Sequence, residues 1–236
     1  MCTRSLPALQ MLRDVLAEST VWYETKMPER FGGYVGAYLN DGLHAKILLA
    51  LSHELREALP AILGKHPLRH LWAYKYDERY TGINIHADQA AVNLNFWITN
   101  EDANLDKKSG GLVIFTKKPP ADWTFEQYNQ LTEGGDAHAL LAASGWANVT
   151  VPYKENRLVM FDSALFHKTD DFAFKKGFLN RRINLTLLFG RMVLGDGEHA
   201  GAAAPDLEVG ASEAACAAQS GAGAGAAPKL ELRDGS

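Results

Sequence analysis

Two helices followed by a long run of short strands predict a mainly β fold, with the helices packed on one face of a β-sandwich or jelly roll. Three observations carry that expectation. Apolar residues recur at helical spacing between Leu6 and Leu55. From Leu71 onward they alternate instead with polar ones. Clusters of Gly, Asn and Asp then divide this second region into strand-length pieces, as in an antiparallel sheet. The chain has 236 residues, of which 47% are hydrophobic and 22% charged, enough to build one large domain around a substantial core.

The first helix is expected over Leu6 to Leu16. In the second, Asp41 is placed to cap the N-terminus, Leu43, Ile47, Leu48, Leu51 and Leu55 form one apolar stripe, and Pro60 and Gly64 mark the end. Strands are then expected at LWAYKY (71–76), GINIHAD (82–88), AAVNLNFWIT (90–99), GGLVIF (110–115), NRLVMFD (156–162) and RRINLTLLFG (181–190). The stretch 119–147 interrupts this pattern. Trp123 to Leu131 and Ala137 to Ala143 read as helical, with Gly134-Gly135 between them, so it is expected as a surface excursion or a lid inserted between strands. From Gly195 the sequence is rich in Ala and Gly and almost free of aromatic and branched residues. The expected organisation is a folded domain over 1–194, with the lid-like insert at 119–147, and a disordered tail over 195–236.

Charge and cysteine content exclude several function classes. The tail holds seven Asp/Glu against two Lys/Arg, a net of −5, which leaves +1 on the rest of a chain whose total is −4. A nearly neutral body gives no electrostatic case for nucleic-acid or membrane binding. Cys2 and Cys216 are the only cysteines, which argues against a disulfide framework or a thiolate zinc site. No apolar run approaches the roughly 20 residues that span a bilayer. The opening residues lack the apolar stretch of a secretory signal, so cytoplasm is the expectation, with an organelle transit segment left open.

The chemistry concentrates in three places. In GINIHAD, His86 and Asp88 are two residues apart, so on a strand their side chains would converge on one point. His167 follows the strand NRLVMFD within five residues of Asp162. Two histidines and a carboxylate are the facial set of non-heme iron enzymes and leave coordination positions open; a zinc hydrolase could use similar ligands. Third, Arg182, Asn184 and Thr186 share one face of the last strand, opposite Ile183, Leu185 and Leu187. An Arg there can grip a carboxylate with two parallel hydrogen bonds. His66 and His70 have helical ligand spacing, but Pro67 between them breaks a helix.

Together HAD, GGLVIF, NRLVMFDSALFH and RRIN resemble the Fe(II)/2-oxoglutarate-dependent dioxygenases, in the style of the prolyl 4-hydroxylase-like and phytanoyl-CoA hydroxylase-like branches. The resemblance runs from Leu71 to Arg191 with a gap over the insert. It implies the double-stranded β-helix form of the jelly roll, and a hydroxylase that releases succinate and CO2 while using O2. The family's metal motif falls on His86, Asp88 and His167, as the Fe(II) ligands at the catalytic centre. Its Arg-x-Ser co-substrate motif falls on Arg182-Ile183-Asn184, with Asn in place of Ser. A one-residue register shift would exchange Arg181 for Arg182, and the polar face favours Arg182. The resemblance further implies contacts to 2-oxoglutarate from Tyr76, Asn93 and Asn95. Asp88, being a carboxylate, implies hydroxylation and not halogenation.

Two other readings stay open at this point: a metal- or ligand-binding barrel without turnover, and a cupin-like metal enzyme that does not use 2-oxoglutarate and is indifferent to Arg182→Ala. The expected substrate is a small molecule or a peptide. The aromatic residues of the insert, Trp123, Phe125, Tyr128 and Trp146, suit an apolar one.

Overall fold

The computed structural model describes residues 6–28, 32–129, 135–192 and 194. The expected disordered tail, both cysteines and residues 130–134 of the insert lie outside the described residues. The architecture is the expected one, two antiparallel sheets with helices on one of them.

Among the described residues α1 (Leu6–Glu18) comes first, and α2 (Lys46–Ala58) follows only after two short strands that the sequence does not lead one to expect; the single turn α3 (Pro60–Leu63) then starts on its proline. Asp41 does not cap α2. It closes a 3-10 turn, Leu39–Asp41, that Gly42 ends at φ +106, and α2 begins only after Ala45, whose side chain caps nothing. The left-handed glycine separates the capping candidate from the helix it was expected to start.

The strands among the described residues are β1 (Glu24–Lys26), β2 (Tyr34–Tyr38), β3 (Leu68–Tyr76), β4 (Val92–Trp97), β5 (Leu112–Phe115), β6 (Asn148–Val151), β7 (Arg157–Asp162), β8 (His167–Thr169) and β9 (Arg182–Phe189). They form a six-stranded sheet in the order β1-β2-β3-β9-β4-β7 and a three-stranded sheet in the order β6-β5-β8. Every named pairing is antiparallel. β3, β4, β5, β7 and β9 stand where strands are expected, whereas β1, β2, β6 and β8 are strands the sequence pattern does not indicate. GINIHAD is not a strand. It contributes one bridge, His86 to His167, and His167 opens β8.

Alternation along the strands assigns the faces. On the large sheet Ala37, Leu71, Ala73, Leu94, Phe96, Leu185, Leu187 and Phe189 turn outward and pack with Leu9, Leu12, Leu16, Leu48, Leu51 and Leu55 of the helices. This core of fully buried aliphatic side chains holds the sheet to its helical layer, at about 1.5–3 kcal/mol for each large side chain taken out of water. Between the sheets lie Trp97, Leu112, Ile114, Tyr153 and Phe174.

The insert forms α4 (Phe125–Tyr128) and α5 (Asp136–Ala143), and it covers the other side of the small sheet. Tyr128, Ala137 and Leu141 pack there on Val113, Phe115, Phe166 and Ala87, with Trp123 and Trp146 at the border. Its aromatic residues are therefore occupied in packing, apart from Phe125, which is exposed.

Candidate active site

The inner face of the large sheet is polar although it is buried. Register aligns Tyr76 with Arg182 and Tyr74 with Asn184 across β3 and β9, and Asn95 with Thr186 across β4 and β9. Arg182, Asn184, Thr186, Asn93 and Asn95 are all at most 4% exposed.

At one end of this face stand His86, Asp88 and His167, whose ligand atoms all lie within 4.8 Å of one another, the only such group among the described residues. His86 and His167 exchange backbone hydrogen bonds of 3.0 and 2.9 Å, which sets their rings side by side at 4.2 Å. The Nδ1 of each ring faces a backbone carbonyl, Asn84 O at 2.8 Å and Leu165 O at 2.9 Å. Nδ1 therefore carries the proton, and both Nε2 lone pairs are free for a ligand role. Those Nε2 atoms lie 3.9 and 3.4 Å from the Asp88 carboxylate. Burial, with the neighbouring His167, pushes the His86 imidazole down to about 4, against a partial pull upward from Asp88. Burial opposes ionisation of Asp88, but the adjacent imidazoles of His167 and His86 and the amide N–H of Asn93 outweigh it and hold the carboxyl below its ordinary range. A neutral His86 imidazole beside an ionised carboxylate is the protonation state a divalent cation requires.

A ladder of amides leads away from Asp88. Asn93 Nδ2 donates to Asp88 Oδ2 (2.8 Å), and Asn95 Nδ2 donates to Asn93 Oδ1 (2.6 Å). Asn184 Nδ2 donates to Asn95 Oδ1 (2.5 Å) and to Thr186 Oγ1 (2.9 Å). The Asn184 amide N–H groups thus brace the ladder, and its Oδ1 has no partner.

Arg182 occupies the far end. Its Nε donates to Gly110 O (2.6 Å) and Nη2 to Gly111 O (3.0 Å), while Nη1 is buried and without a partner. The glycines make this approach possible. Gly110 sits at φ +85, and a Cβ on Gly111 would fall 1.8 Å from Val151 O. The guanidinium lies over the rings of Tyr76 (4.7 Å) and Trp97 (5.8 Å). A guanidinium met by carbonyl oxygens, rings and the Tyr76 side chain, with no carboxylate bonded to it and Nη1 unfilled, is prepared for an anion. Arg181 points elsewhere. It pairs with Asp77 at 2.7 Å, next to the Asp77–Arg79 pair.

Several residues around the site had no place in the sequence reading. Phe161 sets its ring edge-on to His167 at 5.0 Å, a position that inward alternation along NRLVMFD allows. Ser163 holds the Asp88 backbone, its carbonyl accepting from Asp88 N (3.2 Å) and its hydroxyl donating to Asp88 O (3.1 Å). Asn129 of the insert binds Ala87, and nothing in its sequence neighbourhood signals that. Asp162 closes its turn by accepting from Ala164 N. His66 and His70 form no metal-type group: His70 lies on β3 and His66 packs against Gly190. Among the described residues no helix is long and apolar enough to cross a membrane.

No family model and no curated protein matches the chain. Solved structures do. The chain is similar to the non-heme alpha ketoglutarate dependent carbocyclase SnoK from nogalamycin biosynthesis (13% identity, 82% of this chain and 81% of that one, TM-score 0.55). It is also similar to the epimerase SnoN from the same biosynthesis (13%, 85% of each, 0.51). A third is HygX from Streptomyces hygroscopicus with nickel, 2-oxoglutarate and hygromycin B bound (11%, 80% of each, 0.51). The chain thus has the fold of these solved structures and carries a cluster of two histidines and one aspartate that could hold a metal ion.

Proposed function

We propose that this chain is a dioxygenase that hydroxylates a small organic molecule or a peptide, consuming 2-oxoglutarate and O2 and releasing succinate and CO2. One observation carries the reading. A buried Arg182 with an unfilled donor stands on the inner face of the large sheet, and the amide ladder of that same face ends on Asp88 of the His86–Asp88–His167 cluster, so a carboxylate anchor and a metal ligand set are joined by one buried polar network. The residues fit the groups that the fold family implies. Two imidazoles with Nδ1 tied down and one ionised carboxylate suit Fe(II) with open positions. Arg182 suits the far carboxylate of 2-oxoglutarate, as a charge-assisted hydrogen bond from Nη1. Neighbours of the same fold are named for 2-oxoglutarate chemistry, HygX with nickel and 2-oxoglutarate among them.

Bound Fe(II) would supply the activation of O2 that couples loss of CO2 to oxidation of the substrate. The protein's own part is orientation and exclusion of water. Carbonyls of Asn84 and Leu165 fix the imidazole tautomers, and Asn93 holds one oxygen of Asp88. In this reading Asn93, Asn95 and Asn184 orient the site through the ladder, while Tyr76 and Trp97 flank the anchor with apolar rings. Tyr34, Tyr38, Trp72 and Tyr74 extend the inner face as a wall of rings 4.5 to 6.3 Å apart, which suits a flat or apolar substrate group. In the balanced reaction, one atom of O2 enters succinate and the other enters the C–H bond of the substrate. Incubation under isotopically labelled O2 with a panel of small molecules and peptides tests it. The expected result is label in succinate and in one hydroxylated product. Intact 2-oxoglutarate after long incubation of the iron-loaded protein in air would contradict it.

A further inference from the structure

Successive residues of an extended chain aim their backbone N–H and C=O groups to opposite sides. Along the metal motif, His86 spends both groups on His167. Asp88 turns to that same side, onto Ser163. Ala87 between them faces the other way, and no strand of the small sheet lies there. At a residue 0% exposed, an unmet donor and acceptor would each cost about 1–3 kcal/mol. One side chain meets both. Ala87 N donates to Asn129 Oδ1 (2.9 Å), and Asn129 Nδ2 donates to Ala87 O (3.1 Å).

We propose that Asn129 is a positioning residue for the metal centre, its carboxamide standing in for the missing strand and fixing the peptide planes that aim His86 and Asp88. The inference rests on the reading of that cluster as a metal site. Asn129 is itself fixed by the insert. It follows α4, whose Thr124 and Gln127 form a capping box, and its N–H donates to Phe125 O (3.0 Å). The preceding Tyr128, 3% exposed, packs in one cluster with Ala87 and Phe166.

The test compares Co(II) affinity in anaerobic titrations, and unfolding temperature with and without Co(II), for the full chain and three variants. Asn129→Ala removes both hydrogen bonds. Asn129→Asp keeps an acceptor for Ala87 N but sets an oxygen against Ala87 O. Leu141→Ala loosens the packing of the insert but leaves both Asn129 hydrogen bonds in place. Both Asn129 variants should bind Co(II) about 10–100-fold more weakly and lose most of the metal-induced rise in unfolding temperature. Leu141→Ala should lower both unfolding temperatures equally and keep its affinity. Affinity within about threefold of wild type in either folded Asn129 variant would overturn the proposal. So would failure of both to fold even with metal, since the role would then be general packing. Folding that returns only on adding metal would support it. A wild-type chain that binds no metal would instead reject the metal site itself.

Discussion

On β9, Ile183, Leu185, Leu187 and Phe189 turn to the helices while Arg182, Asn184 and Thr186 turn to the small sheet, and both sets are buried. The outer set packs on aliphatic and aromatic side chains, with Lys75, buried opposite Ile183 on β3 under the rings of Trp22 and Phe178, as the charged exception. The inner set meets amides, a threonine hydroxyl and backbone carbonyls, and it leaves Arg182 Nη1 and Asn184 Oδ1 without partners. A fold that needed only a core would gain by filling the inner face with apolar side chains, because buried charge and amide groups rarely stabilise more than hydrophobic ones of equal size. The outer face accounts for why the sheet folds, and the inner face for what it is folded to hold.

That contrast can be broken at several points. The largest effect is expected at the metal end. Asp88→Ala should abolish metal uptake in anaerobic dialysis against Fe(II), and wild-type uptake would mean that the cation binds elsewhere. On the outer face, Leu187→Ala should cost about 2–5 kcal/mol in denaturant unfolding while metal and 2-oxoglutarate affinities of the folded protein stay unchanged. On the inner face of the same strand, Arg182→Met should do the reverse. It should weaken 2-oxoglutarate binding at least tenfold, as about 1.5–3 kcal/mol for a charged hydrogen bond implies, and leave the stability of the free protein equal or higher. Loss of stability with no loss of affinity would sink the distinction between the faces.

The smallest effect concerns pH. His86 is held neutral in the fold, down to about 4 against an ordinary 6.5. The unfolded chain therefore binds the extra proton first, and the metal-free fold should lose stability as pH falls from 6.5 toward 4. His86→Phe should flatten that slope in unfolding curves at pH 7 and pH 5.

How far the sequence could be read follows the same contrast. Alternation in RRINLTLLFG separates the two faces without any structure, and His86 and Asp88 announce themselves by spacing. Elsewhere local pattern misleads. GINIHAD alternates like a strand but makes a single bridge, because one side of its backbone is met by Ser163 and His167 and the other by a side-chain amide. The strand β6 is an exposed edge with three of its four residues open to solvent, so its sequence, NVTV, carries little burial signal. YVGAY in β2 is short and contains Gly36, whose missing Cβ makes room for the Tyr38 ring. Asp41 looks like a helix cap until Gly42 turns the chain. Asn129 reaches a backbone 42 residues away, a distance at which no local pattern operates.

The central claim, that the inner face holds 2-oxoglutarate between a metal at His86, Asp88 and His167 and the guanidinium of Arg182, is tested most directly by anaerobic titration of the iron-loaded protein with 2-oxoglutarate. A visible charge-transfer band should grow to one equivalent, vanish in Asp88→Ala, and need much higher 2-oxoglutarate in Arg182→Met while being unchanged in Arg181→Met. Iron that binds without any band, or a band indifferent to Arg182, would contradict it.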